Sequence, residues 1–121
     1  MKKHTIVLVI IICLILAACA SDFLHLIENL PELDLTTKED SIYRGAFDIQ
    51  KTPINVILNV EVKNSRINDI TIIEHNCSPI GKKAENIISR IINSQSLNVD
   101  VVSGATISSI AILKAVENAL E

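Results

Sequence analysis

The clearest periodicity in the chain lies between Ile54 and Lys63. Ile54, Val56, Leu58, Val60 and Val62 alternate with Asn55, Ile57, Asn59, Glu61 and Lys63. Side chains on a strand point to opposite faces in turn, so this period of two predicts a half-buried strand. Lys63-Asn64-Ser65-Arg66 is a polar turn, and Ile67 to His75 reads as the returning strand of an antiparallel hairpin. Upstream, Ser41 to Ile49 reads as a further strand, with Gly45 at a bulge or a point of close approach. After Pro79 and Gly81 the period changes. Ala84, Ile87, Ile88, Ile91 and Ile92 fall at the spacing of one helix face, with Glu85, Asn86, Ser89, Arg90 and Asn93 outward. Asn93 to Asn98 is polar and loop-like, and Val99 to Val102 is short and extended. Thr106 or Ile107 to Leu120 then forms a second helix, apolar nearly all round and therefore central to the core. The pattern predicts an α+β domain: an antiparallel sheet with two packed helices, the second following the Ser103-Gly104-Ala105-Thr106 turn.

The first residues carry a different signal. Lys2 and Lys3 precede an apolar run from Ile6 to Leu16, and Leu16-Ala17-Ala18-Cys19 puts small residues before a cysteine. Charged, apolar and small in that order is the pattern of a secretory signal, too short to favour a permanent spanning helix. The small-small-Cys order resembles a bacterial lipobox, in which the thiol is acylated and the cysteine becomes the new first residue. An ordinary cleaved signal, or an uncleaved anchor, leaves Cys19 incidental. On the lipobox reading residues 1–18 are the signal, 19–40 a lipidated arm and 41–121 the domain, lipid-anchored at the extracytoplasmic face of the cell membrane. In the arm, Phe23, Leu24, Leu26, Ile27 and Leu30 suit a short amphipathic helix stopped by Pro31, before a polar stretch from Thr36 to Asp40.

Removing residues 1–18 takes Lys2 and Lys3 away and leaves 103 residues with 9 Lys and Arg against 14 Asp and Glu, a net charge of −5. That is one domain's worth of chain. The acidic balance argues against nucleic acid as a partner and against a polybasic membrane surface. Of the three cysteines, Cys13 lies in the signal and Cys19 at its end, so Cys77 has no partner for an intramolecular disulfide. His75-Asn76-Cys77 brings two metal-capable side chains together with no second pair elsewhere. A strand-end His and a partly buried Cys account for it better, and no metal site is expected.

The segment with most chemistry is Asp100-Val101-Val102-Ser103-Gly104-Ala105-Thr106-Ile107-Ser108-Ser109. Its plain explanation is helix capping: hydroxyl oxygens accept from the first N–H groups, and Gly104 allows the tight turn. The functional explanation uses the same physics. A helix start with free N–H groups and a positive dipole end attracts a phosphate, and a Thr106 hydroxyl held there is placed to be esterified by one. Asp100 and Ser108 bracket it with further polar groups.

These ten residues resemble the flavinylation motif of the FMN-binding domain family. That family includes the C subunit of the sodium-pumping NADH:quinone reductase, the G subunit of Rnf-type complexes, and small extracytoplasmic lipoproteins. The resemblance runs from about Tyr43 to Leu120, through Tyr43-Arg44-Gly45, the hairpin, Gly81-Lys82-Lys83-Ala84-Glu85, and Gln95 to Asp100. Larger relatives carry Glu-Thr-Pro-Gly-x-Gly after the strand-end His. This chain has Asn76-Cys77-Ser78-Pro79-Ile80-Gly81 there, without that Glu and one Gly, and its hairpin turn is Asn64-Ser65 rather than Asp-Gly.

The resemblance implies FMN as a covalent cofactor, transferred from FAD by a flavin transferase to Thr106 as a phosphodiester, with Asp100, Ser103, Gly104, Ala105 and Ser108 around it. It implies an electron carrier between a membrane oxidoreductase or quinone-linked donor and an extracytoplasmic acceptor. The alternatives are a flavin-dependent reductase component, for which no nicotinamide fingerprint is present, and a binding lipoprotein that has lost the flavin. Composition favours attachment over reversible binding. Only Phe23, Tyr43 and Phe47 are aromatic, little stacking surface for nanomolar affinity, which takes about 12 kcal/mol. A covalent bond replaces affinity with a permanently high effective concentration.

Overall fold

A computed structural model describes the backbone of residues 2–28, 30 and 32–121, and the side chains of all of these except 16–28. A long helix, α1 (Lys2–Glu28), is followed by three strands: β1 (Ser41–Asp48), β2 (Asn55–Lys63) and β3 (Arg66–Asn76). A 3-10 turn (Gly81–Asn86) then leads into α2 (Ile87–Ser94), and the chain closes with α3 (Thr106–Leu120). The strands form one antiparallel meander in the order β1-β2-β3. The architecture is the α+β arrangement that the pattern predicts.

The apolar Ile6–Ile15 stretch of α1 stays open to its surroundings, with Leu14 65% exposed and Ile11 the most covered at 47%. Among the described residues no helix is long and apolar enough to cross a membrane. The Cys19 thiol, the apolar positions Phe23 to Ile27, and Pro31 lie outside the described side chains. The end of the arm belongs to the packing: Leu35 is buried in the core, and Leu30 and Leu33 rest against it. Lys38 Nζ donates to the carbonyl of Glu121 at 3.0 Å and stands 5.0 Å from the Tyr43 ring centre.

Strand β2 shows why its alternation is so regular. Val56, Leu58, Val60 and Val62 are all fully buried beneath α3, each contributing roughly 1.5–3 kcal/mol by leaving water. Strand β3 lacks a clean alternation, and two bulges reconcile it. Asn68 and Ile73 are the extra residues, so that Ile67, Ile70, Ile72 and His75 oppose Val62, Val60, Leu58 and Val56 on the core face. At the hairpin tip Asn64 and Ser65 have φ of 52° and 58°, the left-handed pair that a two-residue hairpin turn requires.

The helix expected over Ala84 to Ile92 is divided. Gly81, Ala84 and Ile87 are buried at steps of three, the period of a 3-10 turn, and the four-residue step from Ile87 to Ile91 begins only in α2. Helix α2 ends at Gln95, held at φ 53°. Its side-chain amide accepts from the Ile67 N–H at 2.7 Å and donates to the Ile67 carbonyl at 2.9 Å and the Ile92 carbonyl at 2.7 Å. The amide thus pairs with the β3 edge as another strand's backbone would. Val99 to Val102 forms no strand, and Leu97, within the polar loop, is buried.

Helix α3 lies across β1 and β2 and also meets the 3-10 turn. Its approach to β1 depends on Gly45, where a β-carbon would come within 1.9 Å of the Ala115 carbonyl oxygen. Gly45 is a point of close approach, one of the two roles its place in a strand allows.

Candidate functional site

The start of α3 is built by the approach to it. Val102 to Ala105 forms a tight turn closed by Ala105 N–H to Val102 O at 2.9 Å, with Gly104 at φ 78°. That is the third position of a type II turn, which glycine occupies without strain. Ser109 fixes the turn from inside the helix. Its buried hydroxyl donates to the Ala105 carbonyl at 2.7 Å and accepts from the Val102 N–H at 3.1 Å. Arg90 of α2 fixes the segment before it, with Nη1 donating to the carbonyls of Asp100 at 2.7 Å and Val101 at 3.3 Å.

The capping explanation is not the one realised. The N-cap of α3 is Ala105, and among the described residues no side chain caps the helix. Ser, Thr, Asp or Asn at this position is favoured over Ala by about 1 kcal/mol, so the sequence forgoes stability here. The first α-helical bond is Ser109 N–H to Ala105 O, which leaves the N–H groups of Thr106, Ile107 and Ser108 without helical acceptors.

These groups border an open pocket of about 320 Å³. Gly104, Ala105, Thr106, Ile107 and Ser108 form one side, and Ile54, Ser78 and Gly81 the other. Thr106 and Gly104 are exposed, whereas Ser108 is 4% exposed. No described residue bonds to the hydroxyl of Thr106 or Ser108. Glycine is required on the facing wall too: a β-carbon on Gly81 would stand 2.6 Å from Ser108 Oγ and 2.9 Å from Cys77 Cβ. The volume is at the low end for ligand pockets, and no aromatic residue lines it.

Of the residues singled out in the sequence, Gly104, Ala105, Thr106 and Ser108 come together at this pocket. Ser103 is exposed at the turn, and Asp100 is exposed, its carbonyl bound by Arg90; neither lines the pocket. Ser78 and Gly81 line it although their loop lacks the Glu and one Gly of larger relatives. Arg90, read only as an outward helix position, has its role through a contact ten residues along the chain, invisible to local spacing. Next to the wall, Cys77 is partly buried, and burial pushes its thiol above the usual cysteine range, against the opposing pull of Lys82. Among the described residues no three His, Cys, Asp or Glu side chains converge on a metal position.

Three N–H groups at a positive helix end and a hydroxyl beside them, all without partners among the described residues, fit a phosphate ester at the open turn of Gly104. Ile54 and Ile107 offer apolar surface to whatever that phosphate carries. The residues present therefore fit FMN. The family model of the FMN-binding domain matches residues 51–121, from the turn before β2 through α3 to Glu121. No curated protein matches the chain. With more than half of its length matched, the chain belongs to the FMN-binding domain family, and FMN is the cofactor which that membership implies.

Proposed function

We propose that this protein is an extracytoplasmic, membrane-anchored electron-transfer flavoprotein carrying FMN through its phosphate on Thr106. The observation that carries the reading is the alanine N-cap. Among the described residues, no side chain accepts from the helix start or bonds to the exposed Thr106 hydroxyl beside it. In the attachment step, Thr106 Oγ forms a bond to the FMN phosphorus of FAD, the pyrophosphate bond breaks and AMP departs. The hydroxyl proton passes to a base of the flavin transferase. The N–H groups of Thr106, Ile107 and Ser108 then hold the phosphodiester charge. The absence of aromatic side chains from the pocket lining favours attachment over reversible binding. When bound, FMN supplies electron transfer, and an open site leaves its ring accessible to a membrane oxidoreductase and an extracytoplasmic acceptor. Acylated Cys19 holds the domain at the membrane, with the arm as tether.

Expression of the full chain with a flavin transferase tests both modifications in one intact-mass spectrum. The expected product is yellow and heavier by one FMN less one water, an increase lost in Thr106→Ala and kept in Thr106→Ser. Cys19→Ala is expected to lose the lipid mass and to leave the membrane fraction. A colourless wild-type product of unmodified mass, beside an active transferase, refutes the flavin reading.

A further inference from the structure

The loop that supplies Ser78 and Gly81 to the pocket wall spans the gap between β3 and the 3-10 turn, and one side-chain contact bridges that gap. The His75 side chain, near the end of β3, is fully buried, and its Nδ1 lies 3.0 Å from Glu85 Oε1 in the turn. A carboxylate only accepts, so the imidazole donates from Nδ1. Nε2 is buried and meets no hydrogen-bond partner among the described residues. A buried polar atom without a partner is a net cost, and an apolar side chain of similar size removes it. On the core face opposite Val56, packing alone favours leucine. What leucine lacks is the bond to Glu85.

A second orphan lies on the adjoining rung. Asn55 Oδ1 is also buried without a partner among the described residues, where Asn55 pairs with Asn76 and Val56 with His75. Both orphans therefore sit at the end of the sheet that leads to Ile54 and the pocket. Costs of this kind concentrate where function, rather than packing, sets the residue. Glu85 Oε1 is also approached by Lys82 Nζ at 3.5 Å, which draws the residue after Gly81 toward the same contact.

We propose that His75 is a positioning residue for the flavin pocket: through Glu85 it sets the place of the loop whose Ser78 and Gly81 form the wall facing Thr106. The inference rests on the reading of Thr106 as the FMN site, but its effect on the loop is independent of any flavin. Cys77 lies inside the braced loop and reports on it.

The test compares full-length wild type, His75→Leu, His75→Asn, Glu85→Gln and Glu85→Ala. In flavin-free protein, iodoacetamide labelling of Cys77, read by peptide mass spectrometry, is expected to rise about tenfold in His75→Leu and Glu85→Ala as the loop is released. With transferase and FAD, the rate of FMN attachment in these two is expected to fall about tenfold, since small misplacements of a reacting group are costly. The visible bands of the attached flavin shift with it. His75→Asn retains an N–H donor and Glu85→Gln an acceptor, so both are expected to stay within about twofold of wild type. Glu85→Ala alters a partly exposed residue and keeps the test open if His75→Leu does not fold. Unchanged Cys77 labelling in the folded variants overturns the proposal. So does an attachment rate equal to wild type with unshifted bands, an outcome that leaves the reading of Thr106 intact. If Cys77 responds while wild type accepts no FMN, the brace stands and the flavin reading falls.

Discussion

A β-carbon on Gly81 would stand 2.6 Å from the hydroxyl oxygen of Ser108. The two residues belong to opposite walls of the pocket, so the width of the site at that point is the absence of one side chain. Gly81→Ala is expected to displace Ser108 or Cys77 at a cost of about 1–3 kcal/mol, the usual range for an overpacked contact. FMN attachment is expected to fall further than the loss of folded protein explains. Urea unfolding beside a transferase assay separates the two, and an unchanged attachment rate per folded molecule defeats the prediction.

Ser109 ties the turn to the helix through two bonds from one fully buried hydroxyl. Ser109→Ala leaves the Val102 N–H without its acceptor, and the expected loss of stability is about 1–3 kcal/mol. Amide exchange at Val102 and Ala105 is expected to quicken with it. Unaltered exchange at both positions counts against the assigned role.

Ser65 holds a left-handed backbone at φ 58° in the hairpin turn, a conformation that costs a side-chain-bearing residue energy and glycine none. Ser65→Gly is expected to stabilise the protein by about 0.5–1 kcal/mol, after the greater flexibility of glycine in the unfolded chain is deducted. A thermal or urea midpoint at or below wild type rejects it.

Burial raises the Cys77 thiol above the ordinary range, with Lys82 opposing and Glu85 reinforcing the effect. The folded value lies above the unfolded one. The contribution of this group to stability is therefore full below the unfolded value and is lost as pH rises through the folded one. Alkylation of Cys77 in the folded chain is expected to inflect at a higher pH than in the urea-unfolded chain, because the thiolate is the reacting form. Coincident inflections exclude the shift.

Much of the fold is legible where burial follows a local period. The face of β2 and the length of α3 can be read directly, since each buries one residue set at a fixed step. The apolar set of β3 is harder, because Asn68 and Ile73 are bulged and the step changes twice. The run from Ala84 to Ile92 contains two periods joined at Ile87, which a single helical template merges. Leu35 and Leu97 sit in polar surroundings and are buried by elements far along the chain.

What the sequence determined by itself is the order of elements, the apolar faces, and the hydroxyl at Thr106 with its glycine turn. Those properties depend on residues within a few positions of one another. Only the tertiary structure decided that Ala105, rather than a hydroxyl, stands at the N-cap and leaves the N–H groups free. It alone brought Ser78 and Gly81 opposite Thr106, set Arg90 on the Asp100 and Val101 carbonyls, and closed His75 on Glu85. These contacts follow from where α3 comes to rest on the sheet, at a distance set by Gly45 beneath Ala115, and a period along one segment holds no record of that distance.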